Sequence, residues 1–441
     1  MSKGYIRVLV GLLLAVSSAV AQERSNSGSN QSGEPGAMPQ MDMGEAHAAT
    51  SFLMTQGTGT SQEPEAWPMP MVMSAVRSWR LMWMGQGFLA ATQQSAPRGN
   101  DKIYALNWGM LSASKPIGDG SLMLRSMLSL EPATVTDRVY PLLFQTGEAA
   151  FGQPIVDGQH PHDLFMELSV QYARPVGETT MLNVYYAPIG DPALGPTAFP
   201  HRASAMEMPQ ASLGHHWQDS THIANNVLTA GISLGRVRIE ASGFHGMEPD
   251  EGRWNIDYGA MDSWSARFSL FPSSNWKAQV SAGRLNQPEP FHEDDVVRYT
   301  ASLHHIIPRG NGNSWATSFI WGRNYKTLAG ESTNAVLAET VLPVGEKNFV
   351  TGRIEWGQRD ELFANDHELE EHLEHETGSL AFAVTALTAG YTRDVMTDGN
   401  FQVGLGANIS GYWIEDALKS YYGDYPWGAT FFVRVRFREL P

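Results

Sequence analysis

From Leu164 the even positions Leu164, Met166, Leu168, Val170 and Tyr172 are apolar, while Glu167, Ser169 and Gln171 between them are polar. That is the two-residue period of a β-strand with one greasy face and one wet face. Residues 174–178 supply the Pro and Gly of a tight turn, and Leu182, Val184 and Tyr186 then resume the alternation against Thr179, Asn183 and Ala187, so the stretch reads as an antiparallel hairpin. The same texture begins at Trp79 and predicts about sixteen strands, at 79–93, 102–115, 120–131, 163–174, 178–189, 222–235, 236–247, 259–271, 275–286, 296–308, 314–326, 332–342, 347–360, 378–395, 399–413 and 427–438. Even-numbered strands end in brief turns such as 116–120, 175–178, 343–347 and 397–400, whereas odd-numbered strands end in longer, often charged or aromatic loops.

Short turns on one side, long loops on the other and an even strand count are the pattern of a bacterial outer-membrane barrel, whose short turns face the periplasm. The fold class expected is all-β: a single antiparallel transmembrane β-barrel. Trp276, Ala278, Val280 and Ala282 alternate with Lys277, Gln279 and Ser281, and Phe431, Val433, Val435 and Phe437 alternate with Arg434, Arg436 and Arg438. The apolar rows would face lipid and the polar rows the lumen. Arg125, Arg238, Arg267, Arg298, Arg353, Arg434 and Arg436, with Glu167, Glu240 and Glu355, fall on the polar phase. They are expected to line the pore, either sorting solutes by charge or stiffening the interior through ion pairs.

Composition narrows the picture. Residues 1–21 have the charged, apolar and small-residue layout of a secretory signal, and past them no run of about 18 apolar residues suggests a membrane helix. Loss of Lys3 and Arg7 would take the net charge from −16 to −18, which argues against nucleic acid as a partner. There are no cysteines, so disulfides, thiolate metal sites and a Cys nucleophile are excluded. The organisation expected is a signal peptide at 1–21, a disordered Met-rich periplasmic segment at 22–78, and a barrel at 79–441. Outer-membrane lipids and the periplasmic barrel-assembly machinery are the expected partners, and the oligomeric state is open.

Two groups of residues carry possible metal chemistry. The leader holds Met38, Met41, Met43, His47, Met69, Met71 and Met73, and thioethers suit Cu(I). The long loops hold His160, His162 and Asp163, then His201, then His215, His216, Asp219 and His222, ligand types that suit Cu(II) or Zn(II). The same histidines could instead pin a loop folded into the lumen. An acidic stretch at 366–376 could form a short helix with His372 and His375 on one face. Ser169, Ser204 and Ser212 lie near histidines in sequence, which leaves a lipase or acyltransferase as an alternative, although GxSxG and HExxH are absent.

The motifs GQHPHDLFMELS (158–169), HHWQDSTHI (215–223) and GATFFVRVRF (428–437) resemble a family of uncharacterised bacterial outer-membrane barrel proteins. The Met-rich leader resembles that of outer-membrane copper-resistance protein B. These resemblances imply a porin-like channel with a part in copper binding, efflux or tolerance. A general porin without a metal role is the competing expectation.

Overall fold

The computed structural model describes residues 43–291 and 293–438, with side chains from Ala48 onward. Among the described residues nineteen strands form, in chain order. They are β1 (Val72–Val76), β2 (Trp79–Gln94), β3 (Lys102–Ile117), β4 (Gly120–Leu128), β5 (Tyr140–Ala150), β6 (Gln153–Gln159), β7 (Phe165–Val176), β8 (Thr180–Gly190), β9 (Ala224–Leu234), β10 (Val237–His245), β11 (Ser263–Ser273), β12 (Trp276–Leu285), β13 (Val296–Gly310), β14 (Asn313–Lys326), β15 (Glu331–Val344), β16 (Asn348–Arg359), β17 (Phe382–Asp398), β18 (Phe401–Ile414) and β19 (Trp427–Phe437).

Sixteen of them, β2–β4 and β7–β19, pair antiparallel with their sequence neighbours, and β19 pairs back onto β2 from Gly428↔Gln94 to Arg436↔Gln86. The ring is closed, so no sheet edge is left to lipid. It coincides with the sixteen strands read from the sequence, with ends displaced by at most about four residues. Val280, Ile354, Ile409 and Phe431 are more than half exposed on the outer surface, while Lys277, Gln279, Arg353 and Arg434 of the same or paired strands are buried inside. Apolar outside and polar inside is the inverse of a water-soluble barrel and suits a lipid solvent.

The structure departs from the sequence reading in four places. Met166 turns inward instead of facing lipid, because the β4–β7 ladder shifts register between Met127 and Leu128; such a bulge re-aims side chains. Residues 140–159, read as loop, form the hairpin β5–β6 outside the ring. Nearly all of β5 is buried, so it lacks the alternation that marks a half-wet strand. The β14–β15 connection, expected to be long, is the short turn 327–330.

The fourth departure concerns the leader. Residues 22–42 of the segment expected to be unfolded lie outside the described residues. Residues 43–78 form helix α1 (Met43–Met54), then a largely buried run to Pro64, then β1 laid along the start of β2. Polar composition argues for disorder only if water is the alternative; here the polar lumen supplies partners. The acidic stretch forms the short helix expected of it, α4 (His367–Thr377), largely exposed except for Leu373, which is buried in an apolar cluster. The other helices are α2 (Glu131–Thr134), α3 (His215–Gln218) and α5 (Asp416–Tyr422).

The 33-residue β8–β9 connection, 191–223, folds inward, and every residue in it is buried except for the partly buried Pro200, Gln210 and Ser220. With residues 55–64 it forms a plug. A closed barrel should migrate faster on a gel when unheated than after boiling, with a β-rich circular dichroism spectrum in detergent. A monodisperse monomer without detergent would contradict the assignment.

Candidate metal centre inside a plugged barrel

The wall residues named from strand phase meet the plug. Arg125 Nη1 donates to the carbonyls of Gly57 (2.8 Å) and Gly59 (3.0 Å), and the Gly59 amide donates to Glu167 (3.1 Å). Arg238 reaches the Thr60 carbonyl (3.0 Å), and Arg267 reaches Thr60 Oγ1 (3.0 Å), Gly195 O (3.2 Å) and Glu240 (2.9 Å). Arg298 donates to Ser220 Oγ (2.8 Å), and Glu355 accepts from the Leu213 amide (2.6 Å). Arg353 holds Glu339 (2.9 Å), which also takes the plug's Arg202 (2.6 Å); Arg434 and Arg436 converge on the plug's Glu207, with Asp394 beside Arg434. Pulled from water, these guanidiniums find a carboxylate or a backbone carbonyl, except Arg298, which donates to Ser220 Oγ and Asn324 Oδ1. These ten residues anchor a plug in addition to lining a wall.

One wall sector is different. Met84 on β2, Met110 on β3 and Met127 on β4 lie directly opposite one another in register, where Cβ atoms stand about 5 Å apart. All three are buried in one cluster with Met54 and Met69 of the leader and Met82, Met123 and Met166 of the wall. His201, from the plug, lies tilted against Trp108 with ring centroids 3.9 Å apart and sets Nε2 2.9 Å from Met127 Sδ. Burial, with Arg125 nearby, pushes its pKa down to about 3, so the imidazole is neutral. Met71 is half-buried beside this cluster and Met73 is exposed on β1. Met43 and His47 belong to α1, while Met38 and Met41 lie outside the described residues.

The remaining loop histidines gather at the long-loop end. Ring centroids run His160–His216 6.0 Å, His216–His215 5.2 Å, His215–His222 5.3 Å and His222–His162 5.3 Å, with Phe199 between His162 and His215. Much of this group is internally satisfied. Asp219 binds both His215 (2.7 Å) and Arg202 (2.6 Å), and its carbonyl accepts from His222 Nδ1 (2.8 Å). Asp163 pairs with Arg253 (3.4 Å), His162 with Glu131 (3.1 Å) and His160 with Glu148 (2.8 Å). The spacing HHxxDxxH therefore locks the plug to itself and leaves His216 over. Two carboxylates that sequence reasoning missed, Glu248 after β10 and Glu289 after β12, face that ring. Burial, and then Glu148, push Glu248 up to about 8; burial, and then Glu248, push Glu289 well above the carboxylate range.

No family profile and no curated protein matches the sequence. Among solved structures, OprB of Pseudomonas putida superposes with a TM-score of 0.50 at 10% identity, covering 82% of this chain and 94% of that one. The fold is that of a bacterial outer-membrane porin. An anion-selective porin from Comamonas acidovorans (TM-score 0.49, 10% identity, 81% of this chain and 100% of that one) and the channel DcaP of Acinetobacter baumannii (0.46, 9%, 82% and 99%) are also similar. The porin fold here carries a plugged lumen. Beneath the plug a cavity of about 700 Å³ opens among the short turns, lined by Met206 and Glu207 of the plug and by Asn313, Glu346, Gln402 and Arg436 of the wall.

The methionine row had a legible signal: Met84, Met110 and Met127 share the strand phase of Gln86, Ser112 and Arg125, an inward phase on which an apolar residue is out of place. Glu248 and Glu289 had none, each being one acid among several in its loop. Two of the serines weighed as nucleophiles are engaged otherwise, Ser169 Oγ donating to Glu167 (2.6 Å) and Ser204 Oγ to Glu339 (2.8 Å). Replacing Arg434 with Leu removes the ion-pair partner of Asp394 and one of the two guanidiniums on Glu207, which keeps Arg436, and should cost about 3 kcal/mol. Urea unfolding in detergent measures it, and a loss below about 1 kcal/mol would mean that the plug does not depend on this anchor.

Proposed function

We propose that the protein is a plugged, porin-like channel of the bacterial outer membrane that binds copper in its lumen, as part of copper efflux or tolerance. The observation that supports this reading is the methionine row. Three thioethers in direct register, capped by a neutral imidazole, make a soft donor set without protons to displace, which suits Cu(I) over Zn(II) or Mg(II). Leucine would fill a plain core with better-defined rotamers, yet eight buried methionines share this cluster. The leader that contributes Met54 and Met69 is the segment with the copper-resistance resemblance. A general porin is the second reading, and the cavity among the short turns favours it.

Ag(I), a redox-stable stand-in for Cu(I), separates the two. The full chain in detergent should bind Ag(I) in its lumen, and the Met84/Met110/Met127→Leu variant, which keeps apolar volume, should bind it at least ten-fold more weakly. Equal binding by the variant and the parent would remove the copper reading and leave the porin.

A further inference from the structure

We infer that His216, Glu248 and Glu289 form a second metal site, selective for a borderline divalent cation such as Zn(II), at the long-loop end of the lumen. The inference does not depend on the copper reading, since this donor set contains no sulfur. Imidazole with two carboxylates suits Zn(II), Mn(II), Fe(II) or Co(II) and gives Cu(I) nothing to prefer.

The distances leave room for an ion. His216 Nδ1 lies 3.9 Å from Glu248 Oε2 and 4.0 Å from Glu289 Oε1, and one donor atom from each residue falls within 4.8 Å of the other two. These separations are too long for a direct hydrogen bond. Donors about 2.1 Å from a zinc ion stand about 3.4 Å apart in a tetrahedral array, so the two edges at His216 need contract by only about half an ångström.

The carboxylates are also aimed. Ser220 Oγ donates to Glu248 Oε1 (3.1 Å) and the Glu148 amide donates to Glu289 Oε2 (3.2 Å). In each case one oxygen is held by its own donor while the other is presented to the imidazole, as supporting shells do around metal ligands. Ser220 is itself fixed by Arg298 (2.8 Å). Glu248 Oε2 and both ring nitrogens of His216 are buried without a hydrogen-bond partner among the described residues, an arrangement that ordinary proteins avoid.

The ring is positioned by Gly147. A Cβ there would stand 2.5 Å from His216 Cε1 and 2.7 Å from Nδ1, and the residue has φ +116°. Only glycine allows the imidazole to lie against the β5 backbone at that spot. The three ligands come from three connections: the plug, the β10–β11 loop and the β12–β13 loop. A bound cation therefore ties the plug to the wall at the end opposite the short turns.

The test uses the full chain, folded in detergent and stripped with a chelator. Zn(II) titration by calorimetry, and Co(II) absorption as a spectroscopic probe, should give one site per barrel. His216→Ala and Glu289→Gln should each lower the affinity at least ten-fold, and Ser220→Ala about ten-fold. His372/His375→Ala, on the exposed helix α4, should leave it unchanged. Unheated gel migration establishes that each variant is folded, and the near-isosteric Glu289→Gln decides the matter if His216→Ala does not fold. Zn(II) binding unaltered in Glu289→Gln, or lost only in the α4 variant, overturns the site. Ag(I) titration of the same proteins keeps the outcomes apart, because loss of Zn(II) with Ag(I) retained touches this site alone.

Discussion

A wide barrel whose lumen is filled rather than wet must satisfy every guanidinium it encloses, and this requirement organises the structure. Arg238, Arg298, Arg359 and Arg434 are among the largest fully buried side chains of the wall, and Arg202 of the plug joins them. An unpaired charge in such a place costs several kcal/mol. The wall alone cannot supply enough acceptors, because neighbouring strands spend their carbonyls on the ladder. The leader and the β8–β9 connection bring the missing ones, as free backbone carbonyls at Gly57, Gly59, Thr60 and Gly195 and as the carboxylates of Glu207 and Asp219. The plug is thus held by the cations that would otherwise line a pore.

That arrangement divides the lumen chemically. The sector shared by β2, β3, β4 and the leader is lined with sulfur, and the long-loop end with imidazole and carboxylate. Both His201, at the first, and His216, at the second, are carried by the one connection 191–223. The sulfur set and the imidazole–carboxylate set each take one histidine from a single inserted element, so displacement of that element would disturb both sets together.

How much of this was legible follows from what each pattern encodes. The sixteen strands were readable because lipid and lumen impose opposite demands on alternate residues, and rows such as Trp276–Ala282 against Lys277–Ser281 carry that demand openly. The inward fold of residues 191–223 was suggested by loop length and clustered histidines. Met166 was misread because a bulge breaks the alternation that the reading relied on, and β5 because a strand buried on both faces has no alternation to read. The partition of the histidines was beyond the sequence. HHxxDxxH gives ligand types and spacing, but whether Asp219 faces an ion or Arg202 is decided by how the connection 191–223 folds back on itself. Glu248 and Glu289 acquire meaning only when three loops meet.

The leader has a topological consequence. Its described part, residues 43–78, precedes β2 and places residues 55–64 in the lumen, while the ring is sealed by the pairing of β2, the first ring strand, with β19, the last. The seam cannot form until the C-terminal strand has been made, by which time the leader is long since synthesised and tethered to β2 by the two-residue turn Arg77–Ser78. Its place inside must therefore be taken while the sheet is still open, or gained afterwards from the short-turn end to which that tether confines it. In either case residues 55–64 arrive from the side of the membrane on which the chain is assembled, and the half of the plug that they form is delivered from the end opposite the long loops.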